Sequence, residues 1–407
     1  MSEWLQHAIA HADSIQDGFA DQRATSLALL TDTKWPSRKT EAWKYTPLRA
    51  VERSSAVFKE ESPELTPVDV EGLDFLELTF VDGQLVSMPE DLPEGLTIEM
   101  QESDLFTTIK PARHIFGLVN DVLAADVAVV TVAENVKIDS VLRINNLLSN
   151  GAQGHIRVVV ELEAGAALKV VENAEAHGAT LTTAYTEFLI GAGAHLEHYR
   201  FALQSGDNVA LGGSHFKLLG KATLNSSIIG FGSDLQRIDT DIIYAGEKAE
   251  AKLNAIYLLD GTELFDLHAN VEHAVPNCTT EENIRGIAGD RSRAVFNGRI
   301  HIHRDAQKTL AELNNRNLLL SDKAEINTKP ELEIYADDVR CAHGATIAEI
   351  DKKALYYLQT RGVSRSQAQL MLSFGFINEL IDQMPTAELA EWVRPIIRDR
   401  FAQMEVK

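Results

Sequence analysis

A small residue, any residue and a large apolar residue recur along the middle of the chain, mostly just after turns. The copies are Ala166-Ala167-Leu168, Ala194-His195-Leu196, Ala222-Thr223-Leu224 and Ala251-Lys252-Leu253, separated by 28, 28 and 29 residues. Ala294-Val295-Phe296 and Ala324-Glu325-Ile326 follow at steps of 43 and 30. Between them, short β-prone runs (156–160, 168–171, 186–190, 242–244, 332–335) alternate with Gly, Asn and Asp turns. No helix-length periodic segment interrupts these runs, so alternating βαβ units are not expected. A β repeat near 28 residues fits a solenoid, in which each coil lays a strand on its neighbour and small inward residues let coils stack closely. The long step predicts one coil plus an insertion of about 14 residues around 267–280. An ordinary β-sandwich with coincidental spacing is the competing architecture.

The pattern predicts three zones: a helical and mixed N-terminal domain over 1–110, a β-helix core over 111–345 and a C-terminal helical domain over 346–407. Leu5, Ile9 and Ala12 share one helical face, and Pro63, Pro67, Pro89 and Pro93 break 61–110 into short strands and loops. At the other end, Ser364 with Gln367 forms a capping box. Leu370, Phe374, Ile377, Ile381 and Met384 follow at steps of 4, 3, 4 and 3, and Pro385-Thr386 separates a second stripe from Leu389, with a kink expected at Pro395. Two such helices either close the end of the solenoid or present a docking surface to a partner.

Charge and cysteine content narrow the function. With 38 basic and 60 acidic residues the net charge is −22, which argues against coating nucleic acid or anionic lipid. The cysteines are two, Cys278 and Cys341, so neither a disulfide framework nor a multi-cysteine structural zinc site is available. The first residues lack the basic and apolar regions of a signal peptide, and no apolar run reaches the ~18 residues of a membrane helix. These features together read as a cytoplasmic protein.

Several chemistries are excluded by their signatures. The chain has no His-Glu-x-x-His, no Gly-x-Ser-x-Gly and no Cys-x-x-Cys. The run ending Gly220-Lys221-Ala222 lacks the spacing and the hydroxyl of a phosphate loop, so any ATP must be bound by a partner. His195 with His198, and His301 with His303, invite a metal reading. The first pair faces opposite ways on a strand and the second shares a face; hydrogen-bonded or surface roles fit them better.

The densest signal is TKPELEIYADDVRCAHGAT at 328–346. If extension continues through it, Cys341 and His343 share a face about 6.6 Å apart along the strand. Thiolate and imidazole are a natural pair for iron or zinc, and a cationic imidazole nearby would lower the thiol pKa. Two ligands make half a site, so the remaining ligands should come from another subunit. A buried cysteine beside a satisfied histidine at a strand end is the alternative.

The same run resembles the signature of the SufB/SufD family of iron–sulfur cluster assembly proteins. So do RAVFNG at 293–298, NNRNLLLS at 314–321, YYLQTRG at 356–362 and, near the start, RKTEAWKYTPL at 38–48. Chain length, and Ala342-His343-Gly344 where SufB-type members typically carry Glu-His-Glu, favour the SufD side of the family. The resemblance implies a mainly β fold, with a central right-handed parallel β-helix flanked by N-terminal and C-terminal helical regions. It implies a non-catalytic scaffold working in a cytoplasmic complex with a SufB-type subunit and a SufC-type ATPase, with self-pairing of the isolated chain also possible in principle. Cys341 and His343 would lie at the intersubunit site where iron or the nascent cluster is held. The stripe of Leu370, Phe374, Ile377 and Ile381 would dock the ATPase, and reduced flavin would be a further component of the complex. The competing functions are a solenoid enzyme acting on polysaccharide and an interaction module without a metal role.

Overall fold

In the computed structural model, residues 3–12, 14–15, 19–100, 114–125 and 127–404 are described. The strands are β1 (Phe75–Val81), β2 (Gln84–Ser87), β3 (Leu96–Met100), β4 (Val127–Val132), β5 (Lys137–Leu148), β6 (Gln153–Leu162), β7 (Ala167–Ala176), β8 (Thr180–Ile190), β9 (His195–Ala202) and β10 (Asn208–Leu218). They continue as β11 (Thr223–Phe231), β12 (Leu235–Tyr244), β13 (Glu250–Leu259), β14 (Leu264–His273), β15 (Thr279–Ala288), β16 (Arg293–Ile302), β17 (Leu310–Leu319), β18 (Glu325–Ile334) and β19 (Arg340–Glu349). Helices α1 (Glu3–Ala12), α2 (Ala20–Asp32), α3 (Arg49–Arg53) and α4 (Ile115–Leu123) precede the main run of strands, and α5 (Lys352–Thr360), α6 (Arg365–Ile381) and α7 (Ala387–Gln403) follow it.

Odd-numbered strands from β5 to β19 stack in parallel in one sheet, which β1 and β2 complete; even-numbered strands from β4 to β18 stack in the other, which β3 completes. Each coil is therefore one odd and one even strand, and the fold is mainly β: a parallel solenoid of about eight turns with helices at both ends of the chain. At the beginning, β2 and β3 pair antiparallel to their neighbours and end the stacking.

The register explains the 43-residue step. Ala166, Ala194, Ala222 and Ala251 stand at the starts of odd strands β7, β9, β11 and β13, whereas Ala294 and Ala324 stand at the starts of even strands β16 and β18. The motif changes sheet, so the step is one and a half coils. The expected insertion around 267–280 does not exist: β14 and β15 sit in unbroken register with their neighbours there. The corners before odd strands β5 to β17 are each turned through one left-handed residue: Asn135, Gly165, Gly193, Lys221, Lys248, Asn277 and Lys308, at intervals of 27 to 31 residues. Only Gly165 and Gly193 take that conformation without steric cost.

Strand alternation separates three apolar layers. Inward residues such as Leu168, Leu196, Phe216, Phe265 and Phe296 form the core between the sheets. Outward residues of the even sheet, among them Tyr185, Leu211 and Leu235, are covered by α1, α4 and the segment around Trp43. Outward residues of the odd sheet, among them Tyr199, Phe201, Ile229 and Ile256, are covered by α6 and α7. Apolar outer faces on both sheets are why neither helical zone stands alone.

Polar groups fix the N-terminal layer in register. The Arg237 guanidinium stacks on Trp43 at 3.9 Å, donates to the Ala42 carbonyl at 2.7 Å and pairs with Asp239 and Asp266. Thr46 donates to Asp266 at 2.6 Å. The 38–48 motif is thus a docking segment for the even sheet. The expected domain boundary at 110/111 lies outside the described residues. β1 to β3, inside the expected first domain, are hydrogen-bonded into the two sheets, and β19 runs to Glu349, past the expected boundary at 345.

Candidate functional site

The last coil consists of β18 and β19, and each has a hydrogen-bonded neighbour on one side only, β16 and β17 respectively. Cys341 aligns with Ala311 and His343 with Leu313. Ala311 and Leu313 are buried core residues, so Cys341 and His343 occupy inward-facing positions of the final rung. No further rung covers them among the described residues. Cys341 is half-buried against the core and His343 is exposed.

The surrounding surface is apolar where a free strand edge is normally protected. Ile334, Tyr335 and Ile347 are 42%, 59% and 45% exposed. Ile347 continues the inward series of Cys341, His343 and Ala345, which stack on the buried Ala311, Leu313, Asn315 and Asn317 of the coil below. Sequence reasoning placed the thiol–imidazole pair but missed this apolar rim. Only the end of the repeat marked it, and the changed frame at Ala294 obscured where the repeat ends.

Burial pushes the Cys341 thiol above its ordinary range, against a smaller opposing effect of a hydrogen bond with the Ala311 backbone. The expected lowering by a cationic imidazole is not found. The free side chain is therefore a thiol at neutral pH, and a metal ion binding to it must displace the proton. Cys341 and His343 thus stand two residues apart on one face of the final strand, with no strand beyond them among the described residues.

The other singled-out histidines are hydrogen-bonded. His198 is buried between Glu172 (2.7 Å) and Ser226 (2.8 Å), on the opposite face from His195. His301 and His303 share the outer face, each within 3.0 Å of a glutamate, Glu333 and Glu272 respectively. Cys278 and His273 are buried in the β14–β15 turn region, and the strand that Cys278 precedes, β15, lies two strands below Cys341's β19 in the odd sheet. In the C-terminal stripe, Ile377 and Ile381 are fully buried against this chain's own odd sheet, and Leu370 and Phe374 are half-buried at its margin. The exposed apolar side chains on that side are Tyr356 and Tyr357 of α5 and Met371 of α6.

Comparison with known proteins matches this arrangement to a family. The family model described as "SUF system FeS cluster assembly, SufBD core domain" matches residues 144–376, from β5 into α6. This chain belongs to the SufB/SufD family. It is 31% identical over 395 residues to the iron–sulfur cluster assembly protein SufD of Escherichia coli, covering 93% of this chain and 92% of that one. A SufBD family protein of Synechocystis is 26% identical over 419 residues, covering 93% and 90%. The chloroplastic protein ABCI7 of Arabidopsis thaliana is 25% identical over 425 residues, covering 94% and 88%. Within the family the chain is SufD-like, and the family places it in iron–sulfur cluster assembly. No helix among the described residues is long and apolar enough to cross a membrane.

Proposed function

We propose that this chain is a non-catalytic scaffold subunit of a cytoplasmic Suf complex. It pairs with a SufB-type subunit through its last coil and supplies Cys341 and His343 to the shared site where iron and the nascent cluster bind. The observation that carries the reading is the unfinished rung: a thiol and an imidazole at core positions with no covering strand. A partner strand set against β18 and β19 would hydrogen-bond the free edges, bury Ile334 and Ile347, and bring the missing ligands. Iron–sulfur chemistry needs about four protein ligands, and two chains can share that number.

A SufC-type ATPase is proposed to dock on the C-terminal helices. Because Ile377 and Ile381 are covered from within, its contact would fall on Tyr356, Tyr357 and Met371, with Leu370 and Phe374 at the edge. Reduced flavin, if it joins the complex, is assigned no residue here.

The test is co-expression with SufB-type and SufC-type partners, anaerobic reconstitution and assay of iron and sulfide in the assembled complex. His343→Ala is expected to leave circular dichroism and assembly unchanged, because the side chain is exposed in the free chain, while iron content falls severalfold. Unchanged iron in an intact mutant complex refutes the assignment.

A further inference from the structure

His114, immediately before α4, meets His215 of β10 and Asp241 of β12 between the N-terminal layer and the even sheet. Asp241 Oδ2 lies 2.5 Å from His114 Nε2 and 2.9 Å from His215 Nδ1. One ligand atom from each of the three residues falls within 4.8 Å of the others, and all three side chains are buried. We propose that these residues form a site for one divalent transition-metal ion, zinc or ferrous iron, which clasps α4 to the solenoid.

The donor set carries the inference. Two imidazoles and a carboxylate, drawn from three separate elements, suit zinc or ferrous iron and leave further coordination positions open. Asp239 Oδ1 stands 3.8 Å from His114 Nδ1, on the far side of that ring. At that distance it is no hydrogen-bond partner of the ring, both its oxygens accepting from Arg237, but its charge favours a cationic centre beside His114. His215 Nε2 is fully buried and has no hydrogen-bond partner. His215 faces Asp241 through Nδ1, so Nδ1 is its donor, and Nε2 carries the same desolvation cost of about 1–3 kcal/mol with or without the ion. Metal–ligand bonds near 2.1 Å set ligand atoms roughly 3.0–3.5 Å apart, so the present contacts must open by about half an ångström. His114 precedes α4 as its N-cap residue, so a shift there need not move a strand.

This site is independent of Cys341 and His343, and the test removes them. The full chain without a histidine tag, carrying Cys341→Ser and His343→Ala, is purified and assayed for zinc and iron by elemental analysis. It is then stripped with chelator and reloaded with Co2+, read by visible absorption. One tightly held equivalent is expected, and His215→Asn and Asp241→Asn should each weaken Co2+ binding at least tenfold. If a variant fails to fold, the parent protein still decides the matter. A folded parent that holds no metal after dialysis and shows no Co2+ spectrum overturns the proposal and leaves a hydrogen-bonded clasp. Binding that survives both substitutions overturns it equally.

Discussion

Glu282 is fully buried in the solenoid interior on β15, and neither carboxyl oxygen has a hydrogen-bond partner. In register it lies beneath Leu313, which lies beneath His343. Burial pushes its pKa up from 4.5 to about 8. The folded chain therefore keeps a proton there that the unfolded chain gives up. Below pH ~4.5 both states are protonated and the group is neutral in its effect; between ~4.5 and ~8 folding becomes steadily less favourable as pH rises; above ~8 the loss is complete. At about 1.4 kcal/mol per pH unit, the full loss is roughly 4–5 kcal/mol. Glu282→Gln copies the protonated acid in shape and cannot ionise. The variant should match the wild type near pH ~5 and exceed its stability by several kcal/mol near pH ~9. Urea unfolding of both proteins across this range measures the difference directly. Parallel pH profiles would refute the account, because they would mean that Glu282 finds a partner or solvent in the folded chain. Glu172 gives the opposite sign in the same experiment. Burial alone would raise it, but Arg200 and His198 outweigh that and hold it at about 2, so its contribution persists above pH ~4.5 and is lost as pH falls towards 2.

Three further substitutions probe the framework. At Gly213 an added Cβ would sit 1.8 Å from the Asp239 carbonyl oxygen in the neighbouring strand; Gly213→Ala should cost about 3 kcal/mol or more in denaturant unfolding. Lys221 turns a corner at φ +59, and Lys221→Gly should raise stability by up to about 1 kcal/mol, read as a higher urea midpoint. Ile347 is 45% exposed on the last rung; Ile347→Lys should leave the free chain's melting unchanged and lower co-purification with a SufB-type partner severalfold.

The repeat was legible because coil stacking favours small residues at one inward position, which Ala166, Ala194, Ala222 and Ala249 supply; the motif copy at Ala251 lies two residues further along its strand, over Leu224. What misled was the assumption that the motif stays on one sheet. Ala294 lies on the other sheet, stacked between Phe265 and Ile326, so its match to the motif is one of letters and not of register. The corners were less visible: Lys221, Lys248 and Lys308 adopt a conformation that their chemistry does not advertise. The Cys341–His343 pair could be placed from alternation alone, since two residues apart on a strand means one face. The apolar rim could not, because exposure of Ile347 depends on whether another coil follows. The His114–Asp241–His215 cluster had no signal at all: its members are brought together only by the docking of α4 across two strands.

The ladder begins with strands that run against their neighbours and finishes with two that run along them. Every rung below the top has the same spacing and the same demand for a successor, and nothing in the final pair distinguishes it from a rung awaiting the next. Its last two strands keep one free hydrogen-bonding edge each. If a partner caps that end as proposed, an excess of this chain over its partner would leave apolar edges free to find one another.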